Sequence, residues 1–179
     1  MPTELPNFMI IGAPKCGTTS IADWLKAHPD VSMSNIKEPF FLMDSNLPEF
    51  DHEYPDMFLS NYKECFPCES DSKVVFEATT HYFYQKKLPS FLKKYIPEVK
   101  LLVVLRSPSD RIYSWYKFNI NHLANLDPSL GFEDMVDLIL NGRGEEIRNF
   151  CRYESTYASL KDSLDHGDYL VGPEQSATF

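Results

Sequence analysis

The chain of 179 residues carries 26 acidic against 17 basic side chains, for a formal net charge of -9, and 43% of its residues are hydrophobic. That length and apolar content suit one folded domain, which can bury roughly 70% of its unfolded surface without disulfide staples, and they exclude a disordered chain. The acidic balance argues against a general nucleic-acid or anionic-membrane binder, both of which need a basic surface, although a local basic loop can still receive an anion.

Residues 1–7 (MPTELPN) are polar and acidic where a signal peptide needs a basic start, and no run approaches the ~20 apolar residues of a membrane span, so the sequence reads as a soluble chain. Residues 7–11 (NFMII) form an apolar run of strand length, followed by a loop, GAPKCG, and by a helix over residues 18–28 that stops at His28-Pro29. Residues 30–72 are punctuated by Pro39, Pro48, Pro55 and Pro67 and read as loops, with one short helix near 57–63. Residues 74–77 (VVFE) are a second strand, residues 89–95 a helix, and residues 100–105 (KLLVVL) a third, buried strand of the parallel-sheet type. Pro108 opens a long helix reaching about Leu123, another covers residues 132–140, and residues 145–166 read as helical with a break. Strands alternating with helices predict an α/β fold, a central mainly parallel sheet flanked by helices in three layers, P-loop-like, in a single domain over 1–179. Three convincing strands are few, since sheets usually have ~4–6.

Cys65 and Cys68 form one C-x-x-C in an acidic, proline-containing stretch with no second pair, so free thiols or a local disulfide are expected there rather than zinc, and no metal site is predicted.

The segment FMIIGAPKCGTTSIADWL, residues 8–25, carries the chemistry. A strand runs into a loop framed by Gly12 and Gly17, and the loop opens an amphipathic helix. In such a turn successive N–H groups point inward and the helix dipole adds partial positive charge. Thr18, Thr19 and Ser20 add hydroxyls and Lys15 a full charge. The nucleoside-triphosphatase version of this loop places Lys after the second Gly. Here Thr18 stands there and the Lys lies inside the loop, so a 5′-phosphate ligand fits better than a magnesium-bound triphosphate. A second constellation, LRSPSDRIYSWYKF, sets Arg106 at the end of the third strand, where open α/β sheets bind ligands, with Arg111 and Ser114 on the following helix.

Together these segments resemble the sulfotransferase family that uses 3′-phosphoadenosine 5′-phosphosulfate (PAPS). PKCGTTSI is similar to its 5′-phosphosulfate loop, and LRSPSDRIYSWY to its 3′-phosphate motif. SNIKEPFFL (34–42) and FEATTHYFY (76–84) resemble its carbohydrate branch. The resemblance covers roughly residues 7–123. It implies a PAPS-dependent enzyme transferring a sulfuryl group to a hydroxyl of a glycan such as a glycosaminoglycan. PAPS would be held by Lys15, Cys16, Gly17, Thr18, Thr19, Ser20, Arg106 and Ser114, with no metal. Glu38 would be the base and Lys15 and Lys37 would neutralise the transferring group. Glu77, His81 and Tyr82 would shape the acceptor site, with His81 a competing base. The family domain normally runs beyond the equivalent of Tyr157, so the resemblance also implies a C-terminally incomplete domain, in which residues 169–171 start a strand. It places the protein in the Golgi lumen if an anchor is missing from this chain, and in the cytoplasm otherwise. The alternatives are an inactive binding module of the same fold, or a P-loop nucleotide phosphotransferase, which would want a Walker-B Asp where Glu77 and Arg106 stand.

Overall fold

The computed structural model describes residues 5–47, 56–67 and 72–153. The chain divides into two compact units, Met1–Leu105 and Arg106–Phe179.

The first unit is built on four parallel strands in the order β2-β3-β1-β4. They are β1 (Phe8–Gly12), β2 (Val31–Met33), β3 (Val74–Ala78) and β4 (Lys100–Val103). The register sets Ile10 beside Ala78 on one side and Leu102 on the other. Central β1 is buried on both faces, as its unbroken apolar run requires. Met9 and Ile11 enter one core with Val75, Tyr62, Phe66, Phe91 and Leu92. Ile10 enters the other with Phe76, Ala78 and Ala22. Helix α1 (Thr18–Lys26) supplies Ala22 to the second core, and α2 (Asp56–Lys63) and α3 (Leu88–Tyr95) supply Tyr62, Phe91 and Leu92 to the first. The expected three layers result.

Two expectations need correction, and one element, at residues 80–84, was not foreseen. Residues 31–33 are a strand, β2, where loops were expected. The segment VSM is too short to show a period, and it becomes a strand because β3 offers it a parallel edge, with Val31 opposite Val74. Residues 80–84 form a short 3-10 helix, which the aromatic run hid. The β4 run was expected to be buried on both faces, but β4 is an edge strand: Leu102 packs inward, while Leu101 and Val103 stay 48% and 37% exposed.

The second unit is helical among the described residues. Its elements are α4 (Pro108–Asn121), α5 (Phe132–Leu140) and a 3-10 helix, Gly144–Phe150. Its core joins Leu126, Leu130, Met135, Leu138 and Ile147 to Ile112, Trp115, Tyr116 and Ile120 of α4. The Tyr116 hydroxyl donates to the Leu130 carbonyl at 2.7 Å. Over residues 145–166 the expected helix is a 3-10 turn up to Phe150, Cys151 forms an antiparallel bridge with Leu126, and residues 154–166 lie outside the described residues, as do Cys68 and residues 169–171. Cys65 is a buried free thiol, pushed up from its ordinary pKa by that burial and by the nearby Glu77 and Glu64 carboxylates. Among the described residues no helix is long and apolar enough to cross a membrane.

Candidate active site

In parallel α/β sheets ligands gather at the carboxyl edge, where the chain reverses direction across the sheet. In the first unit that edge is where β1, β2 and β3 end. It receives the loop after β1 (Ala13–Cys16), the segment after β2 (residues 34–42) and the 3-10 helix after β3. The β1 loop starts from a fixed point: the Ala13 N–H donates to Val104 O and the Val104 N–H to Gly12 O, both at 2.9 Å. Gly12 is required by contact. A Cβ there would stand 2.6 Å from Phe83 Cβ and 3.2 Å from the Thr80 carbonyl oxygen. Gly17 caps α1 in the left-handed region, at φ 88°, which a glycine adopts at no steric cost. The first turn of α1 has no acidic residue to occupy its N–H groups. Thr19 and Ser20 are exposed there, while Thr18 and Cys16 are buried. The Cys16 thiol lies 3.6 Å from the Pro14 carbonyl, so it shapes the loop from inside.

Three charged side chains meet over this loop. Lys15 is half-buried, and burial pushes its ammonium pKa down; the Glu38 carboxylate pulls it back up and Lys37 adds to the fall. The Lys37 ammonium donates to Thr19 Oγ1 at 3.4 Å, and the Thr80 hydroxyl donates to Glu38 Oε1 at 3.3 Å. Lys15, Lys37, Glu38, Thr19 and Thr80 therefore form one group drawn from three separate connections. Lys15 and Glu38 both hold positive φ, 65° and 49°, and Phe40 follows at 52°. Non-glycine residues take that region only when their surroundings compel it. His81 is exposed, its ring 5.4 Å from that of Phe40.

Glu77 and Tyr82 lie elsewhere, enclosed at 0% and 1% exposure. The Glu77 carboxylate accepts from the Tyr62 hydroxyl, from Thr79 Oγ1 at 2.6 Å and from the Tyr82 hydroxyl at 3.3 Å. Burial raises its pKa to about 7 against these three bonds, which act to lower it. Burial and the adjacent carboxylate push both tyrosines above their ordinary range. The sequence gives no sign of Tyr62, which reaches Glu77 from α2, fifteen residues away. Thr80 is in the quoted FEATTHYFY run, but its bond to Glu38 spans forty-two residues and has no local signature.

In the second unit Arg106 is exposed and lies 4.0 Å from Asp110, an i,i+4 pair. Ser114 is half-buried on α4, eight residues beyond it.

The first-unit edge suits a phosphate or sulfate ester. It combines a glycine-framed loop, a helix N-terminus free of acidic side chains, and two ammonium groups of which one is already partly desolvated. Among the described residues no three His, Cys, Asp or Glu side chains are grouped as a metal site would need.

Comparison with known proteins places these features. The sulfotransferase domain model matches residues 5–162. A bifunctional heparan sulfate N-deacetylase/N-sulfotransferase 1 of Caenorhabditis briggsae is 31% identical over 173 residues, covering 91% of this chain and 19% of that protein. The N-deacetylase/N-sulfotransferase 4 of Mus musculus is 32% identical over 121 residues, 66% of this chain and 14% of the relative. The chain thus spans about a fifth, or less, of the length of these relatives. A crystal structure of a sulfotransferase from Alicyclobacillus acidocaldarius superposes with a TM-score of 0.61 at 28% identity, covering 90% of this chain and 69% of that one. By the match over residues 5–162 and the parallel sheet that accompanies it, the chain belongs to the sulfotransferase domain family.

Proposed function

We propose that this protein transfers a sulfuryl group from PAPS to a hydroxyl or amine of a carbohydrate acceptor, with Glu38 as the base. The observation that carries the reading is the grouping of Lys15, Lys37 and Glu38 over the α1 N-terminus, with Thr19 and Thr80 fixing the last two. When bound, PAPS supplies the activated sulfuryl group. The N–H groups of the first turn of α1 and the Thr18, Thr19 and Ser20 hydroxyls would hold its 5′ end, and the family resemblance assigns its 3′-phosphate to Arg106 and Ser114. Lys15 and Lys37 face the charge that develops on the oxygen released, and fixed cations in a partly desolvated site stabilise it without reorganisation. Glu38 takes the proton of the acceptor group. Its bond from Thr80 and its left-handed backbone hold the carboxylate where it acts on the Lys15 ammonium. His81, exposed beside Phe40, is the proposed acceptor contact, since an imidazole and an aromatic face together suit a sugar ring. The names of the relatives favour a heparan-type glycan, and family likeness favours the Golgi lumen.

The test is transfer of labelled sulfate from PAPS to N-desulfated heparin, to chondroitin and to a simple phenol. We expect labelling of a glycan and not of the phenol, with kcat in Glu38→Gln reduced by ~10²–10⁴-fold, the usual contribution of a positioned base. Labelling of the phenol alone would overturn the carbohydrate reading, and full turnover in Glu38→Gln would overturn the assignment of the base. Absence of transfer to all three acceptors, with 3′-phosphoadenosine 5′-phosphate still bound, would favour the inactive binding module.

A further inference from the structure

Residues 37–42 carry the proposed base on strained backbone. Glu38 and Phe40 both hold positive φ, so the segment stays in place only if something on each side restrains it. Upstream the restraints are β3 and the turn after α2: the Ser34 N–H donates to Phe76 O and the Asn35 N–H to Cys65 O, each at 2.8 Å. Downstream two side chains restrain it: at the surface the Asn46 amide donates to the Phe40 and Phe41 carbonyls at 2.9 and 3.2 Å, and in the core Tyr82 holds the backbone at Leu42. The Leu42 N–H donates to the Tyr82 hydroxyl at 3.0 Å, in a buried setting. That hydroxyl donates in turn to Glu77 Oε1, and Glu77 is fixed from two further directions, by Tyr62 and by Thr79. The hydroxyl therefore has both its donor and its acceptor role fixed, and its oxygen cannot follow the loop if the loop moves.

We propose that Tyr82, anchored by Glu77, is a positioning residue: from inside the core it pins the Leu42 amide and so holds the Glu38 carboxylate over the phosphate loop. This rests on the reading of Glu38 as the base. It gives Tyr82 and Glu77 a role that needs no contact with the acceptor, consistent with their enclosure. The same 3-10 helix carries Thr80, which bonds the Glu38 carboxylate directly, so side chain and backbone of the segment are held by one element. In its ionised form Glu77 supplies what a neutral residue of its shape would not, two carboxylate oxygens able to accept three hydroxyls at once. Tyr62 serves as the internal comparison. It spends its hydroxyl on the same carboxylate but comes from α2, and its hydroxyl makes no bond to residues 37–42.

The experiment compares Tyr82→Phe with Tyr62→Phe in the full chain, using N-desulfated heparin as acceptor and 3′-phosphoadenosine 5′-phosphate as the binding probe. Both variants lose one hydroxyl from Glu77 and both should melt earlier. In Tyr82→Phe we expect faster amide exchange across residues 37–42 and kcat down by roughly 10²-fold, the scale of an ångström-sized misplacement of a catalytic group. Probe affinity should stay within about threefold, because uniform binding is untouched. In Tyr62→Phe, which keeps the Leu42 bond and frees Glu77 from one direction only, we expect a clearly smaller loss of kcat and a clearly smaller rise in the exchange of residues 37–42. Unchanged exchange in Tyr82→Phe, or an equal loss of kcat in both variants, would overturn the proposal. Exchange is read without turnover, so the two readings fail separately. Faster exchange in Tyr82→Phe with full turnover in Glu38→Gln would sink the assignment of the base and leave the pin standing.

Discussion

At the scale of the residue, the most informative side chain is Glu77. A carboxylate at zero exposure is costly in its charged form, and three hydroxyl donors do not repay the cost: its pKa rises to about 7 from an ordinary 4.5. The folded protein therefore holds a proton there, between those two values, that the unfolded chain has released. Stability from this group is full below pH 4.5 and is lost as pH rises through 7. Its neighbours do not share the window, since the Tyr62, Tyr82 and Cys65 protons are all held more tightly than usual. At about 1.4 kcal/mol per pKa unit, the loss between pH 5 and pH 8 is roughly 2–3 kcal/mol, a large share of a typical domain's margin. Urea unfolding of the parent and of Glu77→Gln at both pH values isolates it. We expect the parent to lose that amount relative to the variant, and parallel curves would show that Glu77 does not titrate in this range.

At the scale of the element, the site depends on how closely the connections at the carboxyl edge approach one another. Gly12 is where that approach is tightest, because the space of a side chain is already taken by the Phe83 Cβ and the Thr80 carbonyl. Its φ does not require glycine, so the constraint is steric. Gly12→Ala must push back either β1 or the 3-10 helix, and the helix is the smaller body. Thr80 then moves off Glu38. We expect kcat to fall by about 10²-fold, with stability lowered by ~1–3 kcal/mol, the usual cost of overpacking. Gly17→Ala is the contrast: a Cβ there meets nothing within 4 Å, so its penalty is the backbone strain at φ 88° alone. If both substitutions leave kcat equal, close approach at Gly12 is not what sets Thr80.

What could be read from the sequence follows the same scale. The β1 loop and α1 were legible because strand, glycines, lysine and hydroxyls are contiguous, and contiguity carries the chemistry. β2 was not, because three residues have no period and pair only where β3 presents an edge. The residues brought together over the loop were each nameable, but the pairings that make them a site run from Lys37 to Thr19 and from Glu38 to Thr80. Such distances leave no pattern in the chain. Glu77 and Tyr82 were nameable too, yet a carboxylate and a phenol in an aromatic segment look the same in sequence whether they face a sugar or a core. Their enclosure comes from the packing of α2 and α3 against that face of β3, which no local pattern announces.

At the scale of the whole molecule, charge works in two directions. The net charge of -9 produces a field that extends over the Debye length, while Lys15 and Lys37 act at contact range inside a partly desolvated site. A nucleotide small enough to enter the site is governed by the local cations, and salt weakens its binding by screening them. A sulfated glycan many sugars long samples the acidic surface as well, and for it salt first removes a repulsion. The Debye length falls from about 30 Å at 0.01 M to about 10 Å at 0.1 M, so most of that change lies in this interval. The nucleotide and the glycan should therefore respond with opposite signs: between 0.01 and 0.1 M salt, affinity for 3′-phosphoadenosine 5′-phosphate falls while the KM for a polyanionic glycan also falls, so that the glycan is taken up more readily. An uncharged oligosaccharide of the same length should show no such change in KM. Parallel weakening of nucleotide and glycan with salt would mean that a basic track, and not the acidic surface, meets the acceptor.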